Sequence, residues 1–191
     1  MCGRYNFTRV PGDEKMDAIH LAMKKNYPGA YKTGEIFPGD TVPAVLERGG
    51  KLVAVPAIFG LPGFTEGKLL INARSETAAE KKTFADGLRD HRVILPASGF
   101  YEWSHHDKEK TKYLFTVDAM QTIYLCGIYK LVDGAYRFVI LTRPANESMI
   151  EVHDRMPVIV GERDVRPFLT DREAAAEILA TASPLLVKKP A

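Results

Sequence analysis

Apolar residues in the first part of the chain recur at helical spacing. Met16, Ile19 and Met23 lie three and four positions apart behind acidic residues, which predicts a helix over residues 13–25. His20 sits at the edge of that apolar stripe, an ordinary boundary position. Residues 27–41 carry Pro28, Gly29, Gly34, Pro38 and Gly39 and read as mostly loop. Alternation with Val and Ala over 52–58 predicts a strand. Residues 60–67 read as loop with Phe64 exposed, and 77–88 as a helix.

The second half is richer in strand signals. Residues 92–95, 113–117, 122–129 and 136–142 are β-branched and aromatic runs with turn residues between them. Residues 105–111 read as a charged hairpin or loop, 146–152 as a short helix and 156–160 as a further strand. Residues 165–169 and 171–181 predict terminal helices. No internal repeat, low-complexity tract or linker interrupts the pattern. The expectation is one α+β domain over 1–191, a largely antiparallel β core with flanking helices.

Composition narrows the functional classes. The 191 residues are 46% hydrophobic and 26% charged, ordinary values for a globular chain with a substantial core. A formal charge of +2 gives no strong overall field, so a nucleic-acid site must be a local cluster. No apolar run approaches the ~20 residues that span a bilayer, and the N-terminus does not read as a secretory signal. Cys2 and Cys126 make no disulfide framework. Cys126, inside an apolar run, reads as a small buried hydrophobe. This usage fits the reducing cytoplasm.

Chemistry concentrates elsewhere. Removal of Met1 would leave Cys2 with a free α-amine beside its thiol. Such a 1,2-aminothiol condenses with an aldehyde to an imine, which the thiol closes to a thiazolidine ring. A retained Met1 would block the amine. Three more segments carry reactive or polar residues beyond what core-building asks for: 70–77 with Asn72, Arg74 and Glu76, 95–103 with Glu102, and 153–157 with His153, Asp154 and Arg155. Each has a plainer reading. Asn72 and Ser75 would cap the following helix and Glu76 would favour its dipole. Glu102 would be a solvated strand residue or an arginine's partner. His153 and Asp154 would form an orienting pair, and Arg155 would bind a carboxylate. Cys, Asn, Glu and His in four separate segments nevertheless suit an assembled site. The histidines, His105 and His106 included, lack the Cys/His spacing of a zinc site, so no metal or other cofactor is expected.

In order and approximate separation, Cys2-Gly3-Arg4, Asn72-Ala73-Arg74-Ser75-Glu76, Gly99-Phe100-Tyr101-Glu102-Trp103 and His153-Asp154-Arg155-Met156-Pro157 resemble the signatures of the SRAP family, the SOS-response-associated peptidases. The resemblance implies a protein of the DNA damage response that binds single-stranded DNA and cross-links to abasic sites through an N-terminal cysteine. By motif position, Cys2 would be the nucleophile. Asn72 would orient its amine and the substrate. Glu102 would move protons and assist release of Met1, and His153 would assist sugar ring opening. Arg4 and Arg74 would hold phosphates, with Arg155 a further contact and Phe64 stacking on bases. A family segment Tyr-Asn-hydrophobic-Ala-Pro reads here Gly34-Glu35-Ile36-Phe37-Pro38, without the Asn. Thr65 offers no second ring beside Phe64, and the chain ends without the family's Val-Asn-rich closing segment.

The expected partner is therefore single-stranded DNA with abasic sites, met by a monomer in the cytoplasm that becomes nucleoid-associated on DNA. Two other classes remain open. One is an N-terminal-cysteine peptidase or amidohydrolase whose thiol attacks a carbonyl. The other is a non-covalent single-strand DNA-binding module, with salt-sensitive binding that survives Cys2→Ala.

Overall fold

A computed structural model describes residues 2–104, 110–118 and 120–191. The first part contains β1 (Arg4–Phe7), α1 (Glu14–Asn26), β2 (Gly34–Ile36), β3 (Thr41–Arg48), β4 (Lys51–Phe59), β5 (Leu61–Pro62), β6 (Leu69–Leu70) and β7 (Asn72–Arg74). The middle holds α2 (Ala85–Asp90), β8 (Arg92–Ala97), β9 (Gly99–Trp103), β10 (Lys112–Val117), β11 (Ile123–Val132) and β12 (Ala135–Pro144). The chain closes with β13 (Arg155–Pro157), β14 (Ile159–Val160), α3 (Glu162–Thr170), α4 (Arg172–Ala180) and β15 (Leu186–Pro190). The fold is α+β with antiparallel pairing dominant. Among the described residues no helix is long and apolar enough to cross a membrane.

Strands β12, β4, β3, β8 and β11 pair in a ring and close a small barrel, with β12–β4 its one parallel seam. Closure leaves these strands few free edges. Two tight hairpins serve it: Gly49 and Gly50 turn β3 into β4, and Asp133 and Gly134 turn β11 into β12, all at positive φ. The period of two then sorts side chains between two cores. Val93, Leu95, Leu125, Phe138 and Ile140 pack in one cluster, while Ile94, Tyr124, Cys126, Val139 and Leu141 pack in another with Val165 and Phe168 of α3 and Ala175 of α4. Cys126 is a buried hydrophobe, as its sequence context predicts.

The second sheet runs β15-β10-β9-β1-β2. Tyr5 and Phe7 of β1 and Phe100 of β9 point inward into the cluster that also holds Cys2. Phe100 stacks on Phe115, with centroids 5.2 Å apart. Gly99 is required for this packing. A Cβ there would stand 2.7 Å from the carbonyl oxygen of Phe115 and 2.8 Å from Leu114 Cδ1.

Several expectations change. The helix predicted over 77–88 is a series of turns, followed by α2 alone. Before α2, this stretch buries only Ala78, too little to pay for helix nucleation. Residues 146–152 likewise form turns rather than a helix. The strand over 156–160 breaks at Val158: β13 joins β12 and β14 joins β11. The stretch 27–41, expected as mostly loop, contains β2. Residues 105–109, the greater part of the expected charged loop and the site of His105 and His106, lie outside the described residues.

Gly99→Ala should cost about 1–3 kcal/mol through overpacking, lowering Tm by several degrees in thermal unfolding. An unchanged Tm would show that β9 and β10 do not approach as closely as described.

Candidate active site

Cys2 stands just ahead of β1 and is fully buried. Its Sγ–H points to the carbonyl oxygen of Arg4, 3.9 Å away. Burial pushes the thiol well above the usual thiol range, and the negative charge of nearby Glu102 raises it further. Around neutral pH this sulfur is therefore a thiol and not a thiolate. Glu102, on β9, is 5% exposed, which overturns the solvated-strand reading. The alternation of β9 explains the burial, since Phe100 and Glu102 face inward while Tyr101 and Trp103 face the other way, half-buried.

Asn72 reaches Cys2 from the barrel side. Residues 72–74 pair in parallel with Ile140–Thr142 of β12, which places Asn72 Nδ2 to donate to the carbonyl of Cys2 at 3.1 Å and, more weakly, to that of Ile140 at 3.5 Å. Its Oδ1 is buried with no hydrogen-bond partner among the described residues. The helix-cap reading is thus corrected. Asn72 is a strand residue, Ser75 donates its N–H to the carbonyl of Thr142 at 2.8 Å, and Phe84 stands at the N-cap of α2 without a side-chain cap bond.

The last segment is tied to the second by charge. Both terminal nitrogens of buried Arg155 donate to the carboxylate of Glu76, and Nη2 also donates to the carbonyl of Thr142 at 2.7 Å. Of its two readings the structure gives Arg155 the carboxylate-binding one, and the guanidinium is 10% exposed. Its terminal nitrogens are engaged by Glu76 and Thr142, which disfavours an open phosphate contact, while its Nε is buried without a hydrogen-bond partner among the described residues. Glu76 is no helix-dipole residue either. Its hydrogen bond from Arg155 holds the carboxyl below its ordinary value of 4.5 against the opposing effect of burial. The Arg155 backbone N–H donates to Nδ1 of His153 at 2.9 Å, while Asp154 Oδ1 lies 2.8 Å from the same nitrogen. One Nδ1 cannot serve both at once. The backbone bond suits a neutral ring carrying its proton on Nε2, and the exposed Asp154 carboxylate suits the protonated ring.

A cleft of about 490 Å³ opens beside this cluster, lined by Gly3, Arg4, Phe37, Pro38, Glu102, Trp103 and Lys110. Arg4 is half-buried within it. Phe64, between β5 and β6, is 89% exposed, and Arg74 is also exposed. Neither lines the cleft. Sequence reasoning assigned no role to Glu35, Phe37, Trp103 or Lys112, which surround Arg4. Trp103 and Phe37 were visible inside family-like segments, but only the fold reveals that Arg4 packs against both rings. Among the described residues no group of three or more His, Cys, Asp or Glu side chains is placed to hold a metal ion.

Glu76→Gln should destabilise the fold at pH 7 by about 1–2 kcal/mol. The usual cost of orphaning a buried charge is discounted here because Glu76 is 41% exposed. A depressed carboxyl pKa stabilises the native state above the unfolded value and ceases to as pH falls through the folded one. The gap between wild type and variant should therefore narrow as pH falls below the ordinary carboxyl value of 4.5. Urea unfolding at pH 7 and pH 3.5 checks this, and an equal gap at both would contradict the ion pair.

Comparison with known proteins gives the chain's relatives. The chain is 30% identical to the abasic site processing protein YedK of Escherichia coli, covering 95% of this chain and 86% of that one. It is 28% identical to the abasic site processing protein YoaM of Bacillus subtilis, over 94% and 83% of the two chains. A crystal structure from Bacteroides thetaiotaomicron shares the fold with a TM-score of 0.77 at 19% identity, covering 99% of this chain and 91% of that one. A phage-related protein from Bordetella bronchiseptica does so with a TM-score of 0.75 at 23% identity, covering 100% and 94%. The family model described as SOS response associated peptidase (SRAP) matches residues 1–189, and the chain belongs to that family.

Proposed function

We propose that this chain binds single-stranded DNA and captures abasic sites as a covalent thiazolidine through Cys2 after loss of Met1. The observation that carries this reading is the convergence of Asn72 and Glu102 on Cys2, the one residue whose amine and thiol can both be presented once Met1 leaves. The names of the relatives, abasic site processing proteins, support the same substrate.

The steps follow from the groups. An N-terminal amine has an ordinary pKa of about 7.7–8.0, so Glu102 can take its proton and leave a nucleophile. The amine adds to the C1 aldehyde of the opened sugar. Glu102 returns the proton as hydroxide leaves as water, giving an imine. The thiol then adds to the imine carbon and passes its proton to nitrogen, closing the ring. Asn72 holds the Cys2 carbonyl, and so fixes the direction of the amine. His153, with its proton on Nε2, donates to the sugar oxygen as the ring opens. The closed ring keeps the aldehyde from strand cleavage by β-elimination, and reversal retraces the same proton transfers. Glu102 also assists release of Met1. Arg74 and Arg4 meet phosphates, and Phe64 stacks on a base, a contact of about 1–3 kcal/mol. Arg155 acts through its backbone bond to His153.

The amidohydrolase reading requires a thiolate attacking a carbonyl. The buried, neutral thiol of Cys2 speaks against it, whereas the amine-first sequence uses a neutral thiol in its last step.

With an abasic oligonucleotide, Cys2→Ala should abolish the covalent adduct and retain reversible binding. Glu102→Gln should slow adduct formation about 100-fold or more. Time courses on denaturing gels measure both, and a wild-type rate for Glu102→Gln would remove its proton-transfer role. Arg74→Ala should reduce the salt slope of binding by about 0.7, one phosphate's worth on a single strand. An unchanged slope would place Arg74 off the DNA path.

A further inference from the structure

The outward face of the β15-β10-β9-β1-β2 sheet carries a charge arrangement of which the reaction scheme uses Arg4 but neither Glu35 nor Lys112. Arg4 lies across from Tyr101 in the β1–β9 register, and Lys112 across from Trp103 in the β9–β10 register. Glu35 of β2 meets Arg4 on the neighbouring β1 and, across β1 and β9, the extended side chain of Lys112 from β10. Arg4 Nη1 stands 3.2 Å from Glu35 Oε1, and Lys112 Nζ stands 2.9 Å from each oxygen of the same carboxylate. Each cation is also backed by aromatic rings. Arg4 Cζ is 4.1 Å from the Phe37 centroid and 4.9 Å from that of Trp103, and Lys112 Nζ is 4.0 Å from the Tyr101 centroid.

One carboxylate oxygen thus receives both an ammonium and a guanidinium, held by rings at a spacing that brings them to a single anionic atom. A non-bridging phosphate oxygen has the same charge and the same acceptor geometry, and phosphate carries more such atoms than a carboxylate. The trio has a net charge of +1, so it still attracts an anion with Glu35 in place. Burial raises the Glu35 carboxyl, but the hydrogen bonds and charges of Lys112 and Arg4 together bring it below its ordinary value, so it competes as a full charge. All three side chains are about a quarter to a third exposed, open to an incoming strand. Arg4 also lines the cleft with Gly3 and Glu102, which sets this face directly beside the reactive terminus.

We propose that Arg4 and Lys112 form one phosphate subsite for the DNA strand, and that Glu35 is the internal anion which a backbone phosphate replaces. The proposal rests on the reading of this chain as a single-strand DNA-binding protein, and adds Lys112 as a contact and Glu35 as the group that sets its strength. Glu35 lowers affinity for any strand, so a stretch of undamaged DNA is held weakly and released. An abasic site, once captured covalently at Cys2, is held irrespective of that competition.

The test is fluorescence anisotropy with an undamaged single-stranded oligonucleotide over a range of salt, for wild type, Glu35→Gln, Lys112→Met and the double variant. Glu35→Gln keeps the shape and removes the charge. It should bind about fivefold tighter or more, with a salt slope steeper by about 0.7. Lys112→Met should bind more weakly with a shallower slope, and should shrink the gain from Glu35→Gln in the double variant. Equal or weaker binding by a folded Glu35→Gln overturns the proposal, the second result because it would make Glu35 a direct acceptor for bases. Should Glu35→Gln fail to fold, an unchanged slope for Lys112→Met overturns it equally. Wild-type cross-linking to an abasic oligonucleotide is run alongside. Cross-linking with unaltered Glu35→Gln affinity sinks this proposal alone, and neither binding nor cross-linking sinks the functional reading together with it.

Discussion

Backbone pairing along β12 closes the barrel and then continues past it. The first half of the strand takes β4 on one edge and β11 on the other, and its second half takes β7 and β13. Side chains on this strand are buried on both faces, so a shift in register would move an entire apolar set from one core to the other. That constraint makes the extension rigid. Asn72 arrives through β7, and Arg155 through β13 with His153 just ahead of it. The Arg155–Glu76 pair locks those two extensions to each other across the Thr142 carbonyl. The other half of the site, Cys2 and Glu102, belongs to the second sheet, and the hydrogen bond from Asn72 to the Cys2 carbonyl joins the halves.

Burial and charge then divide the labour. Burial keeps the Cys2 sulfur protonated, so the first nucleophile in the proposed sequence is the amine, with Glu102 beside it to carry protons. Outside, Arg4 and Lys112 share the carboxylate of Glu35, and in the proposed scheme that pairing limits the hold on undamaged strands. Strength of capture in this scheme comes from a covalent bond rather than from a strongly basic surface.

The sequence made some of this legible and hid the rest for physical reasons. The β-branched runs of β4, β11 and β12 announced themselves because each side chain packs on a pleated surface. β3 was concealed by Pro43, which faces Pro56 across the β3–β4 ladder, since proline demotes a strand in any local reading. β15 was hidden by Lys188 and Lys189: it is an edge strand that buries only Leu186 and is held to β10 by main-chain bonds. Of the site, Cys2, Asn72, Glu102 and His153 stood out as chemistry in family-like order; Asn72 and Glu102 stand beside Cys2, and the segment of His153 is tied to that of Asn72 through Arg155 and Glu76. For Arg155 the motif left both a carboxylate and a phosphate open, and the burial of its terminal nitrogens against Glu76 depends on the fold. Glu35 and Lys112 carried no signal, for their pairing depends on the sheet register alone.

Intact mass of the purified protein, before and after incubation with single-stranded DNA bearing one abasic site, measures the proposed capture most directly. Thiazolidine formation through a released Cys2 amine predicts a starting mass lacking Met1. It also predicts a denaturation-resistant adduct weighing protein plus DNA less one water. Protein that has lost Met1 yet gives no adduct would contradict it.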